Sequence, residues 1–492
     1  MVFLGADTMR TIPPGLLLLV SLFANLHAQD GATYVPEPDP LVRKSLEAWQ
    51  TLKFGLLIHW GPYSQWGVVE SWSICAEDED WCRRSDDDYV AYKKRYESLP
   101  KTFNPTRFDP DRWAAAAQAA GMKYVVFTTK HHDGFCMFDT KLTEYRITSA
   151  DCPFSTNPRA NITRELFSAF RSRGFMVGAY FSKPDWHSPL YWWPNFATPD
   201  RNVNYSIDRY PDRWKRFVDY THGQIAELLT GYGRVDILWL DGGWVQPLSR
   251  EQILAGITDP GYKYVRLQSQ DIDMPRLVKE SRRKQPGLIV VDRAVEGPYQ
   301  NYLTPEARIP DGVLPYPWET CMPMATSWSH VPNDRYKSTR ELIHMLIEVV
   351  AKGGNFLLNI GPGPDGEIDR DAYRRLGEIG AWMDVNGEAI YNTRPVPPYR
   401  RGKIAYTKSP DGSVNALYVS GPEDILIPAQ ITIPGFRPAQ GGSVTLLGSR
   451  AHLRWEATPE GCRVTLPEPN TDRPPSSDAW VFRITRPAAV QQ

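Results

Sequence analysis

Six short runs of almost uninterrupted apolar residues, at 54–60, 124–130, 175–182, 235–241, 288–293 and 356–360, recur between residues 40 and 395 with helix-forming stretches between them. A strand with one face in water alternates apolar and polar residues, so a run without alternation is buried on both faces. Such strands, separated by helices, build a parallel sheet wrapped by helices, and here they predict a (β/α)8-like barrel, regular or irregular. Two strands beyond the six are then expected, near 318–321 and within the long stretch 187–212. The helices carry their own punctuation. Asp109 caps one, Pro110 takes its first position and Gly121 stops it, while Asn161 and Gly174 bracket another. In the stretch 212–230, Trp214, Phe217, Val218, Ile225, Leu228 and Leu229 share one helical face.

The texture changes after residue 395. Short alternating runs at 404–407, 416–419, 431–433, 444–447, 464–466 and 480–484, separated by Gly and Pro turns, predict an antiparallel β-sandwich. The expected organisation is a catalytic barrel over 40–395 and a sandwich over 396–488 that packs against it. Ahead of both, Arg10, the apolar run 15–26 and Ala28 read as a secretory signal peptide over 1–28, so the mature protein is expected to be exported, whether secreted, periplasmic or lysosome-like. No later stretch reaches 18 uncharged apolar residues, which argues against a membrane span. The six cysteines form no C-x-x-C pair, against a zinc ribbon, and Cys75 and Cys82 are either bridged or both reduced. With 56 basic and 57 acidic residues the chain lacks the positive surplus that a nucleic-acid partner demands. The aromatic content of 12% suits a large core or a surface that stacks on sugar rings.

In a barrel of this kind the reactive side chains sit where strands end. The first run closes with His59, the second with Lys130, His131, His132 and Asp133, the third with Tyr180, Lys183 and Asp185, the fourth with Asp241 between Trp239 and Trp244, and the fifth with Asp292 and Arg293. Five polar strand ends converge on one mouth. Asp241 stands out, because Gly242 and Gly243 let the backbone turn away and expose a carboxylate able to attack a sugar carbon. The histidines read either as sugar-binding groups or as metal ligands. Neighbouring strand residues point to opposite faces, so His131 and His132 lack the same-face geometry of a ligand pair, and no metal or other cofactor is expected. The Gly-rich run 361–366 lacks the Lys-Ser/Thr of a phosphate loop and reads as a turn.

The segments 54–61, 130–135, 239–244, 292–293 and 353–362 together resemble the α-L-fucosidases of glycoside hydrolase family 29. The resemblance implies a metal-free retaining exo-hydrolase of terminal α-L-fucosides, acting on a fucosylated glycan or oligosaccharide. By position it implies Asp241 as the nucleophile and His59, His131, His132, Tyr180, Trp239 and Arg293 as residues lining the fucose pocket. Glu70 and Trp72 match a further Glu-Trp pair, here separated by Ser71. The acid/base is expected at Glu306, with Glu296 as the alternative and Glu319 a third carboxyl nearby. Gln300 stands where some relatives are expected to carry a carboxylate, and an amide cannot act as an acid. Two other functions fit the same residues: a glycosidase for a related sugar such as an α-L-galactoside, and a fucose-binding protein without turnover.

Overall fold

The computed structural model describes residues 34–75, 84, 88–196, 200–258, 266–421, 424, 427–466 and 478–490. The expected signal peptide and Cys82 lie outside the described residues. The first part runs α1 (Pro40–Leu52), β1 (Phe54–Ile58), α2 (Tyr89–Tyr96), α3 (Pro110–Ala119), β2 (Tyr124–Lys130), α4 (Ile162–Ser172), β3 (Met176–Ser182) and α5 (Pro211–Gly231). It continues with β4 (Ile237–Asp241), α6 (Arg250–Thr258), α7 (Met274–Lys284), β5 (Ile289–Asp292), β6 (Glu319–Pro323), α8 (Thr339–Ala351), β7 (Asn355–Ile360) and α9 (Arg370–Asn386).

The seven strands form one curled parallel sheet, a half-barrel in the order β5-β4-β3-β2-β1-β7-β6. Alternate residues divide between two cores. Leu57, Tyr124, Val126, Tyr180, Ile237, Trp239 and Leu357 fill the inside of the curl, where Leu46 and Trp49 of α1 join them. Leu56, Val125, Val177, Leu238, Val290 and Leu358 face the helices. Burial on both faces explains why these strands show no polar alternation. As expected, Asp109 and Asn161 cap α3 and α4, accepting from Arg112 and Arg164 N–H.

One expected strand is β6. The other is not where the sequence placed it: the described residues of 187–212 run through turns into the start of α5. Aromatic side chains there bond to backbone carbonyls, Trp192 Nε1 to Asn202 O at 2.9 Å and Tyr205 OH to Leu190 O at 2.7 Å, and so organise a lobe without a ladder. The gap between β5 and β6 is instead spanned by the irregular segment 299–307. Isolated bridges tie Gln300 to Val291, Leu303 to Trp318 and Glu306 to Cys321. Asn301 braces it: its Oδ1 accepts from Val290 N–H at 2.9 Å, and its Nδ2 donates to Glu37 at 2.8 Å.

Beyond α9, strands β8 (Arg394–Arg401), β9 (Ile404–Lys408), β10 (Val414–Val419), β11 (Gln430–Pro434), β12 (Phe436–Pro438), β13 (Val444–Leu446), β14 (Arg454–Ala457), β15 (Gly461–Thr465), β16 (Ala479–Ile484) and β17 (Pro487–Ala489) form antiparallel sheets. Tyr406 and Phe482 of the five-stranded sheet share a core with Ile433 and Val464 of the three-stranded one, which makes the pair a sandwich. It is fixed to the half-barrel by Trp382 Nε1, which donates to Ala479 O at 3.0 Å, and by Thr407 Oγ1, which donates to Ala389 O at 2.8 Å. Among the described residues no helix is long and apolar enough to cross a membrane.

Candidate active site

Asp241 is the last residue of β4, and Gly242 after it takes φ +91°, a left-handed turn that only glycine adopts without strain. The turn aims the Gly242 N–H back at Asp241 Oδ1, at 2.8 Å. Arg293 Nη1 donates to the same oxygen at 2.9 Å, and Tyr180 OH donates to Oδ2 at 2.7 Å. Burial alone pushes the carboxyl up, but Arg293, His132, Tyr180 and the Gly242 N–H outweigh it and hold Asp241 well below the ordinary carboxylate range. The group is a permanent anion with 14% of its side chain exposed.

Three histidines surround it. His59 Nδ1 lies 2.8 Å from Asn359 Oδ1, and Asn359 Nδ2 donates to Trp328 O at 2.7 Å. The amide oxygen can only accept, so His59 donates from Nδ1 and keeps Nε2 as an acceptor. Burial pushes His59 down to about 4 and His132 down to about 3, and His131 is also lowered by burial. All three are neutral in the range where a hydroxyl ligand would bind. His131 Nδ1 is hydrogen-bonded to Ser71 Oγ, which accepts from Asp133 N–H at 3.0 Å. His132 Nε2 stands 3.8 Å from Asp241 Oδ2.

The opposite-face argument for His131 and His132 fails. β2 ends at Lys130, both histidines lie in the turn beyond it, and their ring centroids are 4.3 Å apart. Even so, no group of three or more His, Cys, Asp and Glu among the described residues is arranged to hold a metal ion.

Arg293 spans two carboxylates. While Nη1 holds Asp241, Nη2 is paired with Glu306, whose side chain is 46% exposed. Glu296 is exposed in the connection after β5, and Gln300 is buried with its backbone bridged to Val291. Glu319 opens β6 at the far end of the sheet, fully buried among Tyr124 and Trp239. Trp239 stacks on Tyr180 at 5.2 Å and carries the Arg293 guanidinium over its ring at 5.2 Å.

Glu70 and Trp72 take different tasks. Glu70, at φ +32°, accepts from Ser329 N–H at 2.9 Å, and burial pushes its carboxyl up to about 8. Trp72 meets His132 edge-on at 5.3 Å and, with Trp186 and Trp244, forms an aromatic wall. Four strand-end polar residues stay out of the mouth: Lys130 pairs with Asp185, and Lys183 with Asp292, all buried. Sequence reasoning missed Ser71, Asn359, Trp328 and Ser329, which hold or flank the histidines and Glu70. Their one signal is that Asn359 is a polar residue near the end of an apolar strand; Ser71 lies in a short 3-10 turn, Trp328 and Ser329 in the connection after β6, and none has a distinctive type or spacing.

Set beside known proteins, residues 21–388 match the family model described as alpha-L-fucosidase. The tissue alpha-L-fucosidase of Rattus norvegicus is 29% identical over 96% of this chain and 97% of its own length. An alpha-L-fucosidase of Branchiostoma floridae is 30% identical over 96% and 99%. Among solved structures, alpha-L-fucosidase isoenzyme 1 from Paenibacillus thiaminolyticus superimposes with a TM-score of 0.70 at 30% identity, covering 90% of this chain and 99% of that one.

Proposed function

From the premise that this chain belongs to the alpha-L-fucosidase family, and is therefore a glycoside hydrolase, we propose that it removes terminal α-L-fucose from glycans with retention, through a covalent glycosyl-enzyme on Asp241. The observation that carries this reading is the single guanidinium of Arg293 shared by Asp241 and Glu306. A retaining hydrolase needs one ionised carboxylate to attack the anomeric carbon and a second carboxyl roughly 5–5.5 Å away to exchange protons with the leaving group and then with water. Asp241 has the charge and the support for the first role. Glu306 is the more exposed of the pair, open to a leaving group and to water, and is the acid/base in this reading.

His59, His131 and His132 bind sugar hydroxyls as neutral rings, with Glu70 beside them, Trp72 offers an apolar face to the sugar, and Trp239 backs Tyr180 and Arg293 from within the core. Glu306, and neither Gln300 nor Glu296, shares Arg293 with Asp241, which supports an enzyme over a fucose-binding protein without turnover. In this reading the mature chain is exported and acts on a fucosylated glycan or oligosaccharide.

The test is a screen of aryl glycosides read by NMR. Turnover of the aryl α-L-fucoside with the α-anomer of L-fucose formed first is expected; preference for the α-L-galactoside, the β-anomer first, or binding with no turnover would each overturn the proposal. A second expectation concerns metal. Because the histidines meet Asn359, Ser71 and Asp241 in place of an ion, prolonged treatment with EDTA should leave kcat unchanged. Loss of activity restored by zinc would show that they hold a metal.

A further inference from the structure

Glu319 takes no part in the site described above, yet it is a carboxylate sealed inside the half-barrel. Its Oε2 accepts from Tyr124 OH at 2.6 Å, and its Oε1 accepts from Trp239 Nε1 at 3.2 Å. Room for this was built into the neighbouring strand. Gly55 of β1 lies opposite Tyr124, and a Cβ there would stand 2.4 Å from the Tyr124 ring, so the phenol can lie across the barrel only because that position is glycine. Burial pushes the Glu319 carboxyl up to about 7, against hydrogen bonding from Tyr124, Trp239 and Tyr302, which favours its charged form. A buried carboxyl is costly to keep unless it has partners.

Trp239 shows what the carboxyl holds. One edge of its indole donates to Glu319, one face stacks on Tyr180, and the Arg293 guanidinium lies over the ring. Tyr180 and Arg293 are in turn two of the groups that hold Asp241. We propose that Glu319 is a positioning residue for the hydrolysis, locking the Trp239 indole so that Tyr180 and Arg293 stay aligned on Asp241. The inference rests on the reading of Asp241 as nucleophile. Release of the ring would loosen two supports of Asp241 at once, which costs attack geometry more than sugar binding.

The test compares Glu319→Gln, which keeps an acceptor for Trp239 Nε1, with Glu319→Leu, which removes both acceptors at similar volume. Glu319→Leu is expected to lose about 10- to 100-fold in kcat with KM within about twofold, and Glu319→Gln to stay within about threefold of wild type. Equal losses in both variants, or a Leu variant with unchanged kcat, would overturn the proposal. If the Leu variant fails to fold, Trp239→Phe removes the same hydrogen bond from the other side; the proposal expects the same kcat loss, and wild-type kcat would refute it. Mass spectrometry after incubation with 2-fluoro-fucosyl fluoride separates this idea from the one beneath it. Wild type that forms no adduct on Asp241 defeats the nucleophile assignment, whereas wild type and Glu319→Leu that form it equally fast defeat only the role of Glu319.

Discussion

Asp241→Asn is expected to lower kcat on an aryl α-L-fucoside by at least about a hundredfold while the protein stays folded, because covalent catalysis is lost outright when the attacking oxygen becomes an amide. The size of the effect follows from the way the carboxylate is held. Arg293, Tyr180 and the Gly242 N–H meet it from three directions and hold both of its oxygens in position. Folding should survive, since an amide oxygen in the Oδ1 position still accepts from Arg293 and the Gly242 N–H, and the Tyr180 hydroxyl can turn to accept from the amide NH2. Azide, a small nucleophile that fits a vacated carboxylate position, is expected to restore part of the activity of Asp241→Ala. A thermal melt alongside the kinetics checks the first point. Retention of more than about a hundredth of the wild-type kcat would remove Asp241 from the nucleophile role.

Glu306→Ala should give the second large effect, and its size should depend on the substrate. General acid catalysis contributes typically about 10²–10⁴-fold, and it matters most when the departing oxygen is a poor leaving group. The loss on natural fucosylated oligosaccharides is therefore expected near the upper part of that range, while an aryl fucoside with an acidic phenol should be cleaved with a much smaller loss in its first step. Glu296→Ala, in an exposed position away from Arg293, should leave both substrates within about twofold of wild type, the usual outcome at a surface site. A leaving-group series of aryl fucosides read as kcat/KM distinguishes the two glutamates. Equal losses across the series for Glu306→Ala would place the proton donor elsewhere.

The parts of this molecule legible in its sequence are those that obey a period. Continuous apolar runs located six strands because double-sided burial leaves a residue-by-residue signature, and the polar groups closing those runs located Asp241, His59 and Arg293. The eighth stave was illegible for the opposite reason. Segment 299–307 takes its hydrogen bonds singly from β5, from the residues around β6 and from the side chain of Asn301, so its sequence needs no alternation and has none. The length of the stretch 187–212 left room for a strand, whereas the N–H and O–H groups of its tryptophans and tyrosines serve as struts between turns. His131 and His132 misled because a two-residue period was carried one step past the end of a strand. Ser71 looked like a mere spacer between Glu70 and Trp72, yet its hydroxyl ties His131 to the Asp133 backbone.

The gap between β5 and β6 gives the two halves of the site unequal tolerance to inserted and deleted residues. Asp241 rides on a strand laddered on both sides, to β3 and to β5, so a slip of one residue would turn its carboxylate through the sheet and misalign two neighbours. Glu306 rides on a stave fixed at a few points. A residue gained or lost between those points changes the length of a loop and shifts no register. In the proposed roles, the attacking carboxylate is thus pinned to its place in the chain, while the proton-transferring one is free to drift along it over evolutionary time, provided that Arg293 can still reach it.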